Sequence, residues 1–144
     1  MAQIVRDVMT ENPRSIAVSA SVVEAARLMR EQDVGSLPTT DDETLVGVIT
    51  DRDITTRVVA EGADPNVTSV GDVHSRDLIS VEPGQDIGEA LQLMARHQVR
   101  RLPVVESGTL IGIVAQADIA LAENEKETGA LVEAISKPSA GDRS

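Results

Sequence analysis

Thr50 and Asp53 close an aliphatic run three residues apart. At this T-x-x-D spacing a hydroxyl and a carboxylate satisfy orphan N–H groups on the first turn of a helix. Asp118 follows a second such run, but there Ala115 stands where the hydroxyl would be. The chain has no cysteine, which excludes thiol catalysis, thiolate metal sites and a disulfide framework. His74 and His97 are the only histidines. A metal site would need carboxylates to converge on them, so each is expected as a satisfied or exposed side chain rather than a ligand. No serine or threonine has a histidine and an acid in the pattern of an activated nucleophile, and no phosphate-loop glycine pattern is present. Catalysis is therefore not expected. Arg96, His97, Arg100 and Arg101 form the densest positive cluster in a chain of net charge −11. Taken alone, they are cations near the negative end of a helix dipole.

Both Asp corners belong to a stretch that the chain writes twice. Leu45 to Ile54, LVGVITDRDI, returns as Leu110 to Ile119, LIGIVAQADI, and the offset of 65 residues from Asp53 to Asp118 holds without a gap over Val5 to Ile54 against Val70 to Ile119. About a third of the positions are identical, the self-similarity of a duplicated unit that buries its apolar face against its twin. Each copy starts as a strand buried on both faces and turns at once into a helix. Gly47 and Gly112 leave that strand without a side chain at one point, which lets another backbone or a flat ligand come close.

The remaining elements repeat at the same offset. Val5 to Met9 is an apolar patch expected to dock as a turn of helix, and Ser15 to Val18 is a short strand. Ser21-x-x-Glu24 is a capping box opening a helix through Gln32, with Val22, Ala25, Ala26 and Met29 as its buried stripe. Ile87, Ala90, Leu91 and Met94 repeat the stripe behind Asp86-x-x-Glu89. Strands at Ser36 to Thr40 and Thr44 to Thr50 join through Asp41-Asp42-Glu43. The helix from Asp51 to Glu61 is expected to end at Gly62 in the left-handed conformation. Residues 1–62 and 70–122 are then two units joined by a linker at 63–69. The rest, 123–144, reads as a charged segment, a short helix at Ala130 to Ser136 and a tail from Lys137 to Ser144.

Composition sets outer bounds. A chain of 144 residues has room for one body that folds without staples. The acidic balance argues against nucleic acid as the main partner, because phosphate backbones are held by clustered Lys and Arg. The absence of Phe, Tyr and Trp means that any bound base must lie between aliphatic side chains. No apolar run approaches ~18 residues and no signal core is visible, so a soluble cytoplasmic protein without membrane contact is expected.

Each unit reads strand, helix, strand, strand, helix, with Leu37-Pro38 or Leu102-Pro103 before the second strand and the Gly47 to Asp53 or Gly112 to Asp118 corner after the third. This resembles the CBS domain, and two in tandem resemble a CBS pair, or Bateman module, of the stand-alone bacterial kind that includes the hypoxic-response type. The resemblance implies an α/β (α+β) fold in which two β-α-β-β-α motifs pack about a pseudo-twofold axis. It also implies a regulatory module that binds AMP, ADP or ATP in clefts between the motifs and forms a homodimer, with no cofactor beyond that ligand. The family's ribose-binding carboxylate maps onto Asp53 and Asp118, and its hydroxyl partner onto Thr50. An ionised carboxylate at such a corner can accept from both ribose hydroxyls. Ser15-Ile16 and Ser80-Val81 match the strand that contacts adenine, and Arg100 and Arg101 match basic residues that face phosphates, reaching across the pair. Ala115 departs from the pattern and makes the Asp53 cleft the better expected site. The contrasting reading is a ligand-free dimeric interaction or stress-response scaffold that keeps only the fold.

Overall fold

The structure is a computed structural model that describes residues 3–123. The charged stretch from Asn124, the Ala130 to Ser136 segment and the Lys137 to Ser144 tail lie outside the described residues. Helix α2 (Val22–Gln32) starts where the sequence places it, because the Ser21 hydroxyl accepts from the Glu24 N–H at 3.2 Å and the Ser21 N–H donates to Glu24 Oε2 at 3.3 Å. Helix α5 (Ile87–His97) repeats the start, with Gly88 N–H donating to Asp86 Oδ1 at 2.7 Å and Asp86 N–H donating to Glu89 Oε1 at 3.3 Å. Val22, Ala25 and Met29 are buried, as are Ile87, Ala90 and Met94. Ala26 is exposed and Leu91 half-buried, so the stripe is narrower than expected. The i, i+3, i+7 positions are the buried ones, and Leu28, Leu91 and Leu93 pack half-buried against the same cores.

The strands form one sheet of two halves. In the first, β2 (Ile16–Ala17) runs parallel to β3 (Ser36–Asp41), which pairs antiparallel with β4 (Thr44–Thr50). In the second, β5 (Arg101–Glu106) pairs with β6 (Thr109–Ala115), while Val81 makes only an isolated parallel bridge to Val104. The expected Ser15 to Val18 strand is thus two residues long, and its counterpart is a single bridge. Asp42 and Glu43 both take positive φ, 54° and 71°, as a two-residue turn twisted to match its strands requires. The halves meet where the two hairpin turns interlock. Leu45 N–H donates to the Gly108 carbonyl at 3.1 Å, and Leu110 N–H to the Glu43 carbonyl at 3.3 Å.

Each half also lends a segment to the other. Helix α1 (Val5–Val8) and strand β1 (Thr10–Glu11) sit on the second half: Val5 N–H donates to Gln85 O at 2.8 Å, Arg6 N–H to Pro83 O at 2.9 Å, and Thr10 pairs with Ile113. Helix α4 (Val70–Val73) makes the matching bonds on the first half, from Val70 N–H to Ala20 O at 2.8 Å and from Gly71 N–H to Val18 O at 2.9 Å. Ser75 then exchanges both backbone bonds with Val48, at 2.8 and 2.9 Å. Val5 lies in the core with Val81, Ile87, Leu102 and Val114, whereas Val70 and Val73 lie in the core with Val22, Leu37 and Ile49. Fully burying one such valine stabilises by about 1.5–3 kcal/mol, so neither half closes its core alone.

The glycines mark where the lent segments cross. A Cβ at Gly47 would stand 2.5 Å from the Ser75 carbonyl oxygen and 2.6 Å from His74 Nδ1. At Gly112 it would meet Met9 Sδ at 2.7 Å and the Thr10 carbonyl oxygen at 3.0 Å. Another backbone, not a flat ligand, occupies the gap. His74, 7% exposed, pairs its Nδ1 with Thr39 Oγ1 at 2.7 Å beneath this crossing. Burial lowers its pKa below the ordinary value near 6.5, Arg76 lowers it further, and Asp53 opposes both.

Two outcomes follow from this crossing. Gly47→Ala is expected to destabilise by about 1–3 kcal/mol or more, because its closest neighbour is rigid backbone, and Gly112→Ala by less, because the Met9 side chain can swing away. Urea unfolding of both variants checks the order. Since His74 resists protonation when folded, the unfolded chain binds the extra proton as pH falls through 6.5. Stability is lost over the window from there down to the lowered folded pKa. His74→Met, which copies the Met9 side of the pair, should flatten the melting-temperature profile below pH 6.5 relative to the parent.

Candidate functional site

The first corner is built by helix α3 (Asp51–Ile54), which starts as soon as β4 ends. Thr50 Oγ1 accepts from Asp53 N–H at 3.0 Å, and Asp53 Oδ2 accepts from Thr50 N–H at 2.9 Å, the reciprocal cap that the spacing encodes. This locks the Asp53 side chain, which is 14% exposed. Among the described residues its second oxygen, Oδ1, makes no hydrogen bond, and it stands 3.9 Å from Arg57 Nε, beyond hydrogen-bond reach. A half-buried carboxylate thus has one oxygen fixed by backbone and one left to accept. Such an oxygen can accept a hydrogen bond from a donor group of a ligand. The helix does not run evenly to Glu61: a π turn, Thr55–Val59, follows α3, with Ala60 N–H donating to Thr55 O at 2.9 Å, and Gly62 takes φ 68°.

At the second corner Ala115 ends β6, residues 116–123 are helical, and Asp118 is half-buried. Arg101 lies opposite Ala115, and the Arg100 carbonyl accepts from Gln116 N–H at 2.8 Å. Both arginines are exposed and flank the Asp118 corner of their own unit. Among the described residues no hydrogen bond or ion pair joins either to Asp53. Ile16 lies opposite Thr39 on the first half, with Ser15 half-buried before it. Ser80 is exposed. Val81 is 1% exposed inside the second core, and its N–H and carbonyl are taken by Pro103 and Val105, so it offers a ligand neither side chain nor free backbone. Asn12, Pro13, Arg14, Ser15, Thr40 and Leu110 line an open groove of about 510 Å³.

Three residues that sequence reasoning did not single out as site residues gather near Asp53. Arg57 Nη1 donates to the Val73 carbonyl at 3.0 Å and to the His74 carbonyl at 3.5 Å, and His74 bonds Thr39. At the repeat offset their counterparts are Ala122, Met9 and Val104, so a comparison of the two copies at each polar position would have found them. No group of three His, Asp or Glu suited to a metal occurs among the described residues. No described helix is long and apolar enough to cross a membrane.

Comparison with known proteins follows the same two units. Residues 5–60 and 70–125 each match the CBS domain family. Hypoxic response protein 1 of Mycobacterium tuberculosis is 39% identical over 94% of this chain and 95% of its own length. A crystal structure of Hypoxic Response Protein I with two coordinated zinc ions superposes with a TM-score of 0.76 at 39% identity, covering 83% of this chain and 98% of that one. A crystal structure of CBSX2 in complex with AMP superposes at 0.73 and 30% identity, covering 86% and 98%. With the fold exchanged about a pseudo-twofold, both repeats matched and relatives alike along nearly their whole length, the chain belongs to the CBS domain family as a tandem CBS pair.

Proposed function

We propose that this CBS pair is a regulatory sensor of an adenosine nucleotide, held at the Asp53 corner, and that it works as a cytoplasmic homodimer without catalysing a reaction. The observation that carries the reading is the Asp53 carboxylate, locked through Oδ2 by the Thr50 N–H at 2.9 Å while Oδ1 stays free to accept. A fixed carboxylate with a free oxygen receives a ribose hydroxyl without first losing side-chain freedom, which is how preorganisation raises affinity. CBSX2, similar over 86% of this chain, was crystallised with AMP, and that ligand class fits an acceptor of this kind. On this reading adenine lies along the backbone near Ser15 and Ile16 or near Ser80, and Arg100 and Arg101 face phosphate. The Asp118 cleft is the weaker site, because Ala115 gives its aspartate no hydroxyl cap.

Hydrogen bonds to charged groups contribute about 1.5–3 kcal/mol, or roughly a ten- to hundredfold change in affinity. Asp53→Asn keeps the cap acceptor and should weaken AMP by that factor in calorimetric titration, while Asp118→Asn costs clearly less. Equal losses would make the clefts equivalent, and no binding by the parent protein would leave the dimeric scaffold. Across AMP, ADP and ATP the affinity should not climb with phosphate count, since each added charge meets the field of a chain of net charge −11. Sedimentation at micromolar concentration should give twice the 15.2 kDa chain mass. A monomer mass would remove the homodimer.

A further inference from the structure

One guanidinium touches both the Asp53 corner and the segment lent to it. Arg57 Nη1 donates to the carbonyls of Val73 and His74, at 3.0 and 3.5 Å, which are the last acceptors of helix α4 and have no partner within the helix. Its Nε faces Asp53 Oδ1 at 3.9 Å, so the same planar group stands beside the oxygen that the proposed ribose contact uses. The π turn that carries Arg57 is itself secured by two hydroxyls. Thr55 Oγ1 donates to the Asp51 carbonyl at 3.0 Å and Thr56 Oγ1 to the Arg52 carbonyl at 2.8 Å. Turns of this kind recur at functional sites.

The other half of the pair provides an internal contrast. Helix α1 docks there by the same backbone bonds as α4, yet Ala122 stands in the position of Arg57 and has no side-chain donor. Docking of a lent segment therefore does not require an arginine. What Arg57 adds is a physical link between that docking and the carboxylate.

Resting on the nucleotide reading above, we infer that Arg57 is a positioning residue. It holds its charge 3.9 Å from Asp53 Oδ1 without taking up that oxygen's hydrogen bond or touching the ligand, and couples occupancy of the corner to the docking of residues 68–75. Such coupling is reciprocal: a docked segment that improves nucleotide affinity by some factor is itself stabilised by the nucleotide by the same factor. The nucleotide signal would then leave the first unit through a segment that continues directly into the second.

Amide hydrogen exchange and calorimetry on the full chain test this. In the ligand-free protein Arg57→Ala should speed exchange at Val70, Gly71 and Ser75 several-fold and leave the matching Val5 and Arg6 amides unchanged. AMP should slow exchange at the first set in the parent protein but not in Arg57→Ala, whose affinity for AMP falls about tenfold. Adenosine, which lacks phosphate, should lose the same factor, because the effect passes through Asp53. Arg57→Lys keeps the charge without the planar fork and should recover part of the affinity. A loss confined to AMP would make Arg57 a phosphate ligand and overturn the positioning role. Unchanged AMP affinity in Arg57→Ala, or faster exchange spread equally to Val5 and Arg6, would overturn the inference while leaving the nucleotide reading intact. No AMP binding by the parent protein would overturn both.

Discussion

Two backbone segments change places across Gly47 and Gly112, and the rest of the molecule depends on that trade. Without it the first half lacks Val70 and Val73 and the second lacks Val5, each buried in the core of the other repeat. The trade also seals a strand. Ser75 takes up both backbone groups of Val48, and Thr10 and Glu11 do the same office along β6, so a β-edge that would otherwise template another chain is partly covered. The cost is steric. Only a residue without Cβ lets the crossing segment come within reach, which is why the repeat keeps glycine at both positions.

The two halves then part company on the same frame. At four symmetric positions around the crossing the first half carries Thr39, Thr50, Arg57 and His74, where the second carries Val104, Ala115, Ala122 and Met9. Polar groups so close to a core destabilise unless each finds a partner. Here every one does: hydroxyl with imidazole, hydroxyl with backbone N–H, guanidinium with carbonyls. The apolar half is the simpler solution to packing. The polar half accepts a denser set of geometric demands and holds a carboxylate in place in return.

Much of this was legible in the chain. The helix starts at Ser21 and Asp86, the Thr50 and Asp53 cap and the positive φ of Gly62 were all readable, because each depends on residues within a few positions. What was not readable depends on partners far away. Gly47 by itself admits a backbone or a ligand, and the choice rests on Ser75, which local pattern cannot bring close. Strand β1 is two polar residues with no alternation, made a strand only by β6 about a hundred positions on. The Asp51 to Glu61 pattern suits an even helix, yet Thr55 and Thr56 turn their hydroxyls back on the preceding carbonyls and the turn widens. The part Arg57 plays stayed hidden because its acceptors sit on the lent helix.

On the proposed function a nucleoside ribose is held by the second oxygen of the Asp53 carboxylate, fixed in the first half of the pair. A crystal structure of the protein grown with saturating AMP tests it most directly. The expected result is a ribose hydroxyl at about 2.5–2.7 Å from Asp53 Oδ1, with Oδ2 still accepting from the Thr50 N–H. AMP bound only at the Asp118 corner, or an empty Asp53 corner at saturation, would rule out the Asp53 carboxylate as the ribose acceptor.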